Sequence, residues 1–562
     1  MSLEQESSPV ESQVNQKPAP RGWTARDTLI LTALIALAMV IFLPGLKSFG
    51  ILDPSDGLYA ECSREMLERH DLLTPSFNYQ PFYEKPILIY WTIMIAYKIF
   101  CVSEWAARLP SALSGVLCVA ALYSLSRQFI NRRAALLSSL VLLASPLFAV
   151  VGHLCLTDML LTLFMTCATL SLFGRLFGGS IWLLALAYVS LGLAMLAKGP
   201  VALFLVGGTL VLYLICRGRD PAEKWHQFWW RRLWPLHPIA GLALILAISA
   251  PWYIAEHTAT HGEFFQEFFI RQNLGRAAGT VNHQNPWYYY IPFLLGGLFP
   301  WWLSLAVMVE PVARLWRHRK FPGRSPQLGL LCLCWSVLII GLFSAVRTKL
   351  GTYILPAFPP LALLTGMVLD QGLRLRAMRE RLFALSIVLT VVAVAAGIVL
   401  PIVFGKLKVV SLGTECAFYL GAALMIGGFS ICAYFIRANR AARGVCCATV
   451  CSAMSMALLI PAGLHQYDKM QHLPFRQLLQ ICKDDSANVA TFLRDSPAAN
   501  FYLARKVPLL SSATEVQQFI KDKPGKHYLL LTKDVLLQAQ QRVPHLNLVA
   551  NKSKWYLYSI DQ

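Results

Sequence analysis

Carboxylates and cations recur in this sequence at the ends of long apolar runs, a pattern suited to chemistry at a membrane boundary. The stretch Leu52-Asp53-Pro54-Ser55-Asp56-Gly57-Leu58-Tyr59-Ala60-Glu61 puts acids just beyond the first run and continues as an amphipathic helix through Arg64, Met66 and Leu67. Leu156-Thr157-Asp158 puts another acid at the end of a later run. An ionisable group at such a boundary is costly to dehydrate, which makes it a functional candidate. Asp158 also stands where a helix N-cap would, and the two roles are compatible. Tyr83-Glu84-Lys85-Pro86 supplies an acid and a cation ahead of a shorter apolar segment. Further polar groups are Arg271, Asn273 and Arg276, then His283, then Arg347, Lys349 and Tyr353. Arg or Lys beside Tyr is suited to holding a phosphate.

Separated carboxylates, several cations and long apolar walls suit one type of reaction: group transfer from an amphipathic donor whose phosphate is the leaving group. A carboxylate would deprotonate or orient the acceptor. Lys and Arg would stabilise charge developing on the departing phosphate. No nucleotide-binding glycine pattern occurs in any loop, which disfavours a nucleotide-sugar donor. No Cys/His cluster has zinc-finger spacing, and most of the cysteines, such as Cys332, Cys334, Cys446, Cys447 and Cys451, sit in apolar runs as small hydrophobes.

The elements that must carry these groups are membrane spans. Of 562 residues, 56% are hydrophobic and 14% charged, which places most of the surface against membrane lipids rather than water. Lys and Arg number 50 against 30 Asp and Glu. In so apolar a chain this excess marks cytoplasmic loops, and nucleic acid is excluded as a partner. Apolar runs of the roughly 20 residues needed to cross a bilayer recur about thirteen times. They cover 28–49, 107–128, 134–154, 158–176, 180–198, 200–216, 236–255, 288–310, 327–346, 353–371, 382–404, 415–436 and 445–464. If they alternate, the arginine-rich loops around Arg132, Arg231, Arg317, Arg376 and Arg440 share one side, taken as the inside. The segment 86–102 then has to be re-entrant or interfacial, the alternative being a fourteenth span. The expected organisation is a cytoplasmic tail at 1–27, a polytopic α-helical membrane domain at 28–464 with exterior loops 50–106 and 256–287, and a small exterior α/β domain at 465–562. In that last domain, strands are expected at Asn488 to Phe492, Tyr528 to Thr532 and Trp555 to Ile560, and helices at Glu515 to Lys521 and Asp534 to Arg542.

From about residue 28 to 370 the chain resembles the GT-C glycosyltransferases. Within them it is most similar to the bacterial family of protein O-mannosyltransferases and 4-amino-4-deoxy-L-arabinose lipid A transferases. The resemblance rests on Tyr59-Ala60-Glu61-Cys62-Ser63-Arg64-Glu65-Met66, Tyr83-Glu84-Lys85-Pro86, Ala106-Ala107-Arg108-Leu109-Pro110, Leu156-Thr157-Asp158, Lys198-Gly199-Pro200, and Lys349-Leu350 with Tyr353-Ile354-Leu355-Pro356, in that order. It implies a polyprenyl-phosphate sugar donor, an acceptor such as lipid A or another envelope glycan or protein, and a site on the periplasmic side of the bacterial inner membrane. It also implies an acidic pair, Asp56 and Asp158, and phosphate ligands Lys85, Arg276 and Tyr353, with Lys349 beside them. Glu84 becomes a candidate ligand for a divalent metal, the one cofactor in view. Where the family usually has Asp-Glu, this chain has Ser55-Asp56, so the first acid is Asp56 or Asp53. Arg271 stands near a position where aminoarabinose transferases can carry a histidine.

The leading expectation is transfer of a sugar, aminoarabinose above all, to a lipid A phosphate. Modification of protein Ser or Thr or of another glycan is the nearest rival. A transporter would place its ionisable groups near the bilayer midplane, often within internal repeats, whereas here they crowd at one boundary and no repeat is found. A polysaccharide ligase or polymerase is a further alternative.

Overall fold

A computed structural model of the chain describes residues 22–219, 223–275, 285–307, 323–406, 411–522, 524–543 and 546–560. Among these, nine helices are long and apolar enough to cross a bilayer, and a tenth span is possible if a bent pair counts as one. Helix α1 is Ala25–Phe42, α2 Ser55–Glu68, α3 Leu88–Phe100, α4 Glu104–Ser126, α5 Arg132–Leu143, α6 Pro146–Gly152, α7 Thr157–Leu176, α8 Trp182–Lys198 and α9 Val201–Arg217. The expected run 134–154 is the bent pair, α5 and α6 meeting at 63° beside Ser145 and Pro146. Helices α8 and α9 are 17 residues each, short of the usual span length. The expected run 288–310 is broken into Tyr290–Gly297 and Trp301–Val307 before it leaves the described residues.

Helix α3 has 13 residues, about 20 Å at an α-helical rise, too little to cross a hydrocarbon core of about 30 Å. Ion pairing makes the same point independently. Arg127 at the end of α4 and Arg132 at the start of α5 both bind Asp27 in the first turn of α1, at 2.8 and 2.9 Å. A crossing α3 would put Arg127 at the opposite end of the bundle from Asp27. Hence α3 does not cross, and the fourteenth-span alternative falls. At the same end Asp370 receives Arg133 and Arg374, which brings two basic loops together as the charge pattern requires.

The last apolar helix, Ala441–Gln471, continues past the expected boundary at 464. Its polar end is held: the His465 ring bonds the Ser48 carbonyl, and Asp468 pairs with Arg476. Leu473–Asp484 then leads into a five-stranded mixed sheet. Strands β1 (Ser76–Phe77) and β2 (Gln80–Pro81) form a separate hairpin near the membrane domain. The sheet comprises β3 (Asn488–Phe492), β4 (Leu509–Leu510), β5 (His527–Thr532), β6 (Leu546–Lys552) and β7 (Trp555–Ile560), ordered β4-β3-β5-β7-β6. The three expected strands are β3, β5 and β7, and the expected helices are Ala513–Asp522 and Leu536–Arg542.

This domain is clamped to the membrane domain by hydrogen bonds. Asp53 accepts from the Ser496 hydroxyl at 2.6 Å and the Ala498 N–H at 2.8 Å. The Tyr502 hydroxyl accepts from the Ile51 N–H and donates to Glu104. The side chain of Asn78, at φ +56 in the β1–β2 turn, donates to the Val507 carbonyl and accepts from the Val507 N–H and the Asn500 side-chain amide.

Candidate active site

Helices α7 and α8 are packed neighbours running in opposite directions, so the start of α7 and the end of α8 share one end of the bundle. Asp158 lies in the first turn of α7 and Lys198 is the last residue of α8. Each charge complements its helix dipole, an acid at an N-terminus and a cation at a C-terminus. Gly199, at φ +85, ends α8 in a left-handed conformation that costs glycine little, and so fixes where Lys198 stands. The Lys198 ammonium makes a short ion pair with Asp158 and lies 4.7 Å from the centroid of the Tyr353 ring. Tyr353 sits in Gly351–Ala357, a seven-residue 3-10 helix of about two turns packed against α7. Asp158 makes no side-chain cap bond, and the N-cap position belongs to Leu156. The capping reading therefore drops out, and the carboxylate is available to its cation.

Tyr59 on α2 completes the wall. Burial holds its phenol well above the ordinary range, and the charges of Asp158 and Glu84 push in the same direction. Tyr59, Glu84, Asp158, Lys198 and Tyr353 thus form one electrostatic neighbourhood built from five separate segments.

The other expected residues stand in different surroundings. Asp56 is buried and saturated. It receives Arg108 at 2.6 Å, the Leu52 N–H at 3.0 Å and the Cys155 N–H at 2.7 Å. Arg108, wholly buried in α4, also donates to the carbonyls of Leu46, Phe49 and Gly50. Together with the bonds between Ser111 and the Leu156 backbone, these contacts pin the turn that leads into Asp158. Asp56 is thus held by Arg108 and by backbone N–H groups, and Asp53, its alternative, is engaged with the C-terminal domain. Lys349 is buried with its amine on the carbonyls of Asn285 and Val346, so it staples backbone instead of facing outward. Burial lowers its pKa. Lys85 is half-buried and donates to the Glu84 carbonyl at 3.1 Å. Arg271 is exposed and pairs with Glu267. Arg276 and His283 lie outside the described residues. Among the described residues no group of three or more His, Cys, Asp or Glu side chains gathers.

Sequence reasoning did not single out Lys198, Tyr59 or Arg108 as site residues. Lys198 had a signal, a lone cation ending an apolar helix before Gly-Pro. The partners of Arg108 lie 52 to 62 residues away and leave no local pattern.

The chain is similar to proteins of known name over most of this architecture. Residues 84–254 match the family described as dolichyl-phosphate-mannose-protein mannosyltransferase. An undecaprenyl phosphate-alpha-4-amino-4-deoxy-L-arabinose arabinosyl transferase of Pseudomonas fluorescens is 31% identical, over 70% of this chain and 69% of its own length. One from Aeromonas hydrophila is 30% identical, over 71% and 72%. The chain belongs to this family of arabinosyl transferases. With the Pectobacterium carotovorum member the identity is 32%, and the match spans 66% of that protein's length. The crystal structure of ArnT from Cupriavidus metallidurans bound to undecaprenyl phosphate superposes with a TM-score of 0.74 at 24% identity, covering 95% of this chain and 98% of that one. The polytopic GT-C fold with a small C-terminal sheet, expected from the sequence, is the fold observed.

Proposed function

We propose that this transferase moves 4-amino-4-deoxy-L-arabinose from a polyprenyl phosphate to a lipid A phosphate, on the periplasmic side of the bacterial inner membrane. The observation that carries the reading is the Lys198 ammonium held between the Asp158 carboxylate and the face of Tyr353. In the transfer, the bond from the anomeric carbon to the donor phosphate oxygen breaks, and its electron pair leaves with the polyprenyl phosphate. A lipid A phosphate oxygen forms the new bond to that carbon. The acceptor is already an anion and needs orientation more than a base. Negative charge grows on the departing phosphate, where Lys198 and Lys85 neutralise it. Asp158 fixes Lys198 in place and opposes the positive charge that develops at the anomeric centre.

The family names of the relatives support this donor. The mannosyltransferase match over residues 84–254 keeps a second reading in play, in which a protein hydroxyl is the acceptor and a base becomes necessary. Mass spectrometry of lipid A and of secreted proteins, from cells with and without the chain, separates the two. Aminoarabinose-bearing lipid A that disappears with the chain supports the first reading. Unchanged lipid A with loss of a protein glycan rejects it.

A further inference from the structure

A charged cavity lies at the opposite end of the bundle from the Asp158 site. It has a volume of about 390 Å³ and is lined by Arg376, Arg379, Glu380, Ile436, Arg437 and Asn439. Arg376 begins the helix Arg376–Lys406 and Arg437 ends the helix Leu412–Arg437, two packed spans, so the cavity sits where their ends leave the hydrocarbon. We infer that it is a binding site for the phosphodiester headgroup of an anionic membrane phospholipid.

Three arginines face one glutamate, and that glutamate is 3.8 Å from Arg437 in an exposed pair, which screens little of its charge. Neither Arg376 nor Arg379 makes an ion pair among the described residues, and the Nε of Arg379 is buried without an acceptor. A buried donor of this kind calls for an oxygen ligand.

Topology alone asks for positive charge on short inner loops and is met equally by Lys or Arg. The cations lining the cavity, Arg376, Arg379 and Arg437, are all arginine. Guanidinium forks match phosphate oxygens in pairs, which an ammonium cannot do. The Arg437 guanidinium is already oriented, 4.0 Å from the centroid of the Phe383 ring. A basic recess between two span ends, facing the phosphate layer, selects a lipid headgroup over a soluble anion.

The test uses the full-length protein in mild detergent, with bound lipid counted by native mass spectrometry. Cardiolipin, phosphatidylglycerol and phosphatidylcholine are titrated separately. The parent is expected to retain the two anionic lipids in preference to phosphatidylcholine, and the Arg376→Gln/Arg379→Gln variant to bind them about tenfold more weakly. Arg443→Gln, an exposed change outside the cavity lining, should bind as the parent does. Should the double variant fail to fold, Arg379→Lys serves instead: it keeps the charge, loses the fork and is expected to bind anionic lipid more weakly than the parent. Parental occupancy in whichever variant is folded, or equal retention of phosphatidylcholine, overturns the proposal. So does displacement of the lipid by millimolar inorganic phosphate, which would mark a soluble-anion site.

Discussion

Arg108 and Asp56 meet at 2.6 Å in an interior where neither side chain reaches the surface, and the same carboxylate accepts the Cys155 N–H three residues ahead of Asp158. One buried pair thus joins the end of α1, the start of α2, α4 and the turn into α7. Removing either partner leaves the other charged and dehydrated, which costs about 3 to 5 kcal/mol. Asp56→Asn and Arg108→Gln are therefore expected to lose folded protein and activity together. Fluorescence-detected size exclusion after graded heating reads this directly. A stable, monodisperse Asp56→Asn protein without activity would instead make Asp56 a catalytic residue.

Lys198 is placed to neutralise the leaving phosphate. Lys198→Gln should keep its fold and lower the rate of transfer by about 10²- to 10³-fold. Lys198→Arg should recover part of the rate, because a cation remains. The check is a single-turnover transfer assay with the lipid-linked sugar, and a Gln variant close to the parental rate would remove Lys198 from the mechanism.

The family resemblance implies that Tyr353 is a phosphate ligand. Its ring face is set against the Lys198 ammonium. A cation over an aromatic face is worth about 1 kcal/mol, roughly a fivefold effect. Tyr353→Phe should then transfer nearly as well as the parent and Tyr353→Leu several-fold less. Equal impairment of the two variants would return the role to the hydroxyl.

Asp53 links the membrane domain to the C-terminal domain, and burial pushes its carboxyl up from 3.8 to about 6. An acid raised on folding favours the folded state most fully below its unfolded value, and this contribution is lost as pH rises through the folded value. The stability advantage of the parent over Asp53→Asn should accordingly shrink between about pH 4 and pH 7. Thermal unfolding of both proteins across that range measures it, and an advantage that grows with pH contradicts it.

Much of the fold could be read from the chain because bilayer thickness sets span length and positive charge sets sidedness. The non-crossing α3 followed from charge alone, and the Arg127–Asp27 pair accounts for it. The bend between α5 and α6 was hidden within a continuous apolar run. Strands β4 and β6 were missed for local reasons: β4 is two residues long, and β6 is a largely exposed edge strand ending in Asn551 and Lys552. At the site, Asp158 was visible as an acid beside an apolar run. Asp56 looked equivalent in sequence because its partner Arg108 comes from another helix. Lys198 closed an apolar helix like any interfacial lysine, and only the antiparallel packing of α7 and α8 sets it against Asp158.

Asp158 is placed to act in transfer and not in folding. The direct measurement is mass spectrometry of lipid A from cells whose only copy of the protein is Asp158→Asn, paired with its membrane level and size-exclusion profile. The expected result is parental insertion and folding with the aminoarabinose-modified lipid A species absent. Parental amounts of modified lipid A from the folded variant would contradict it.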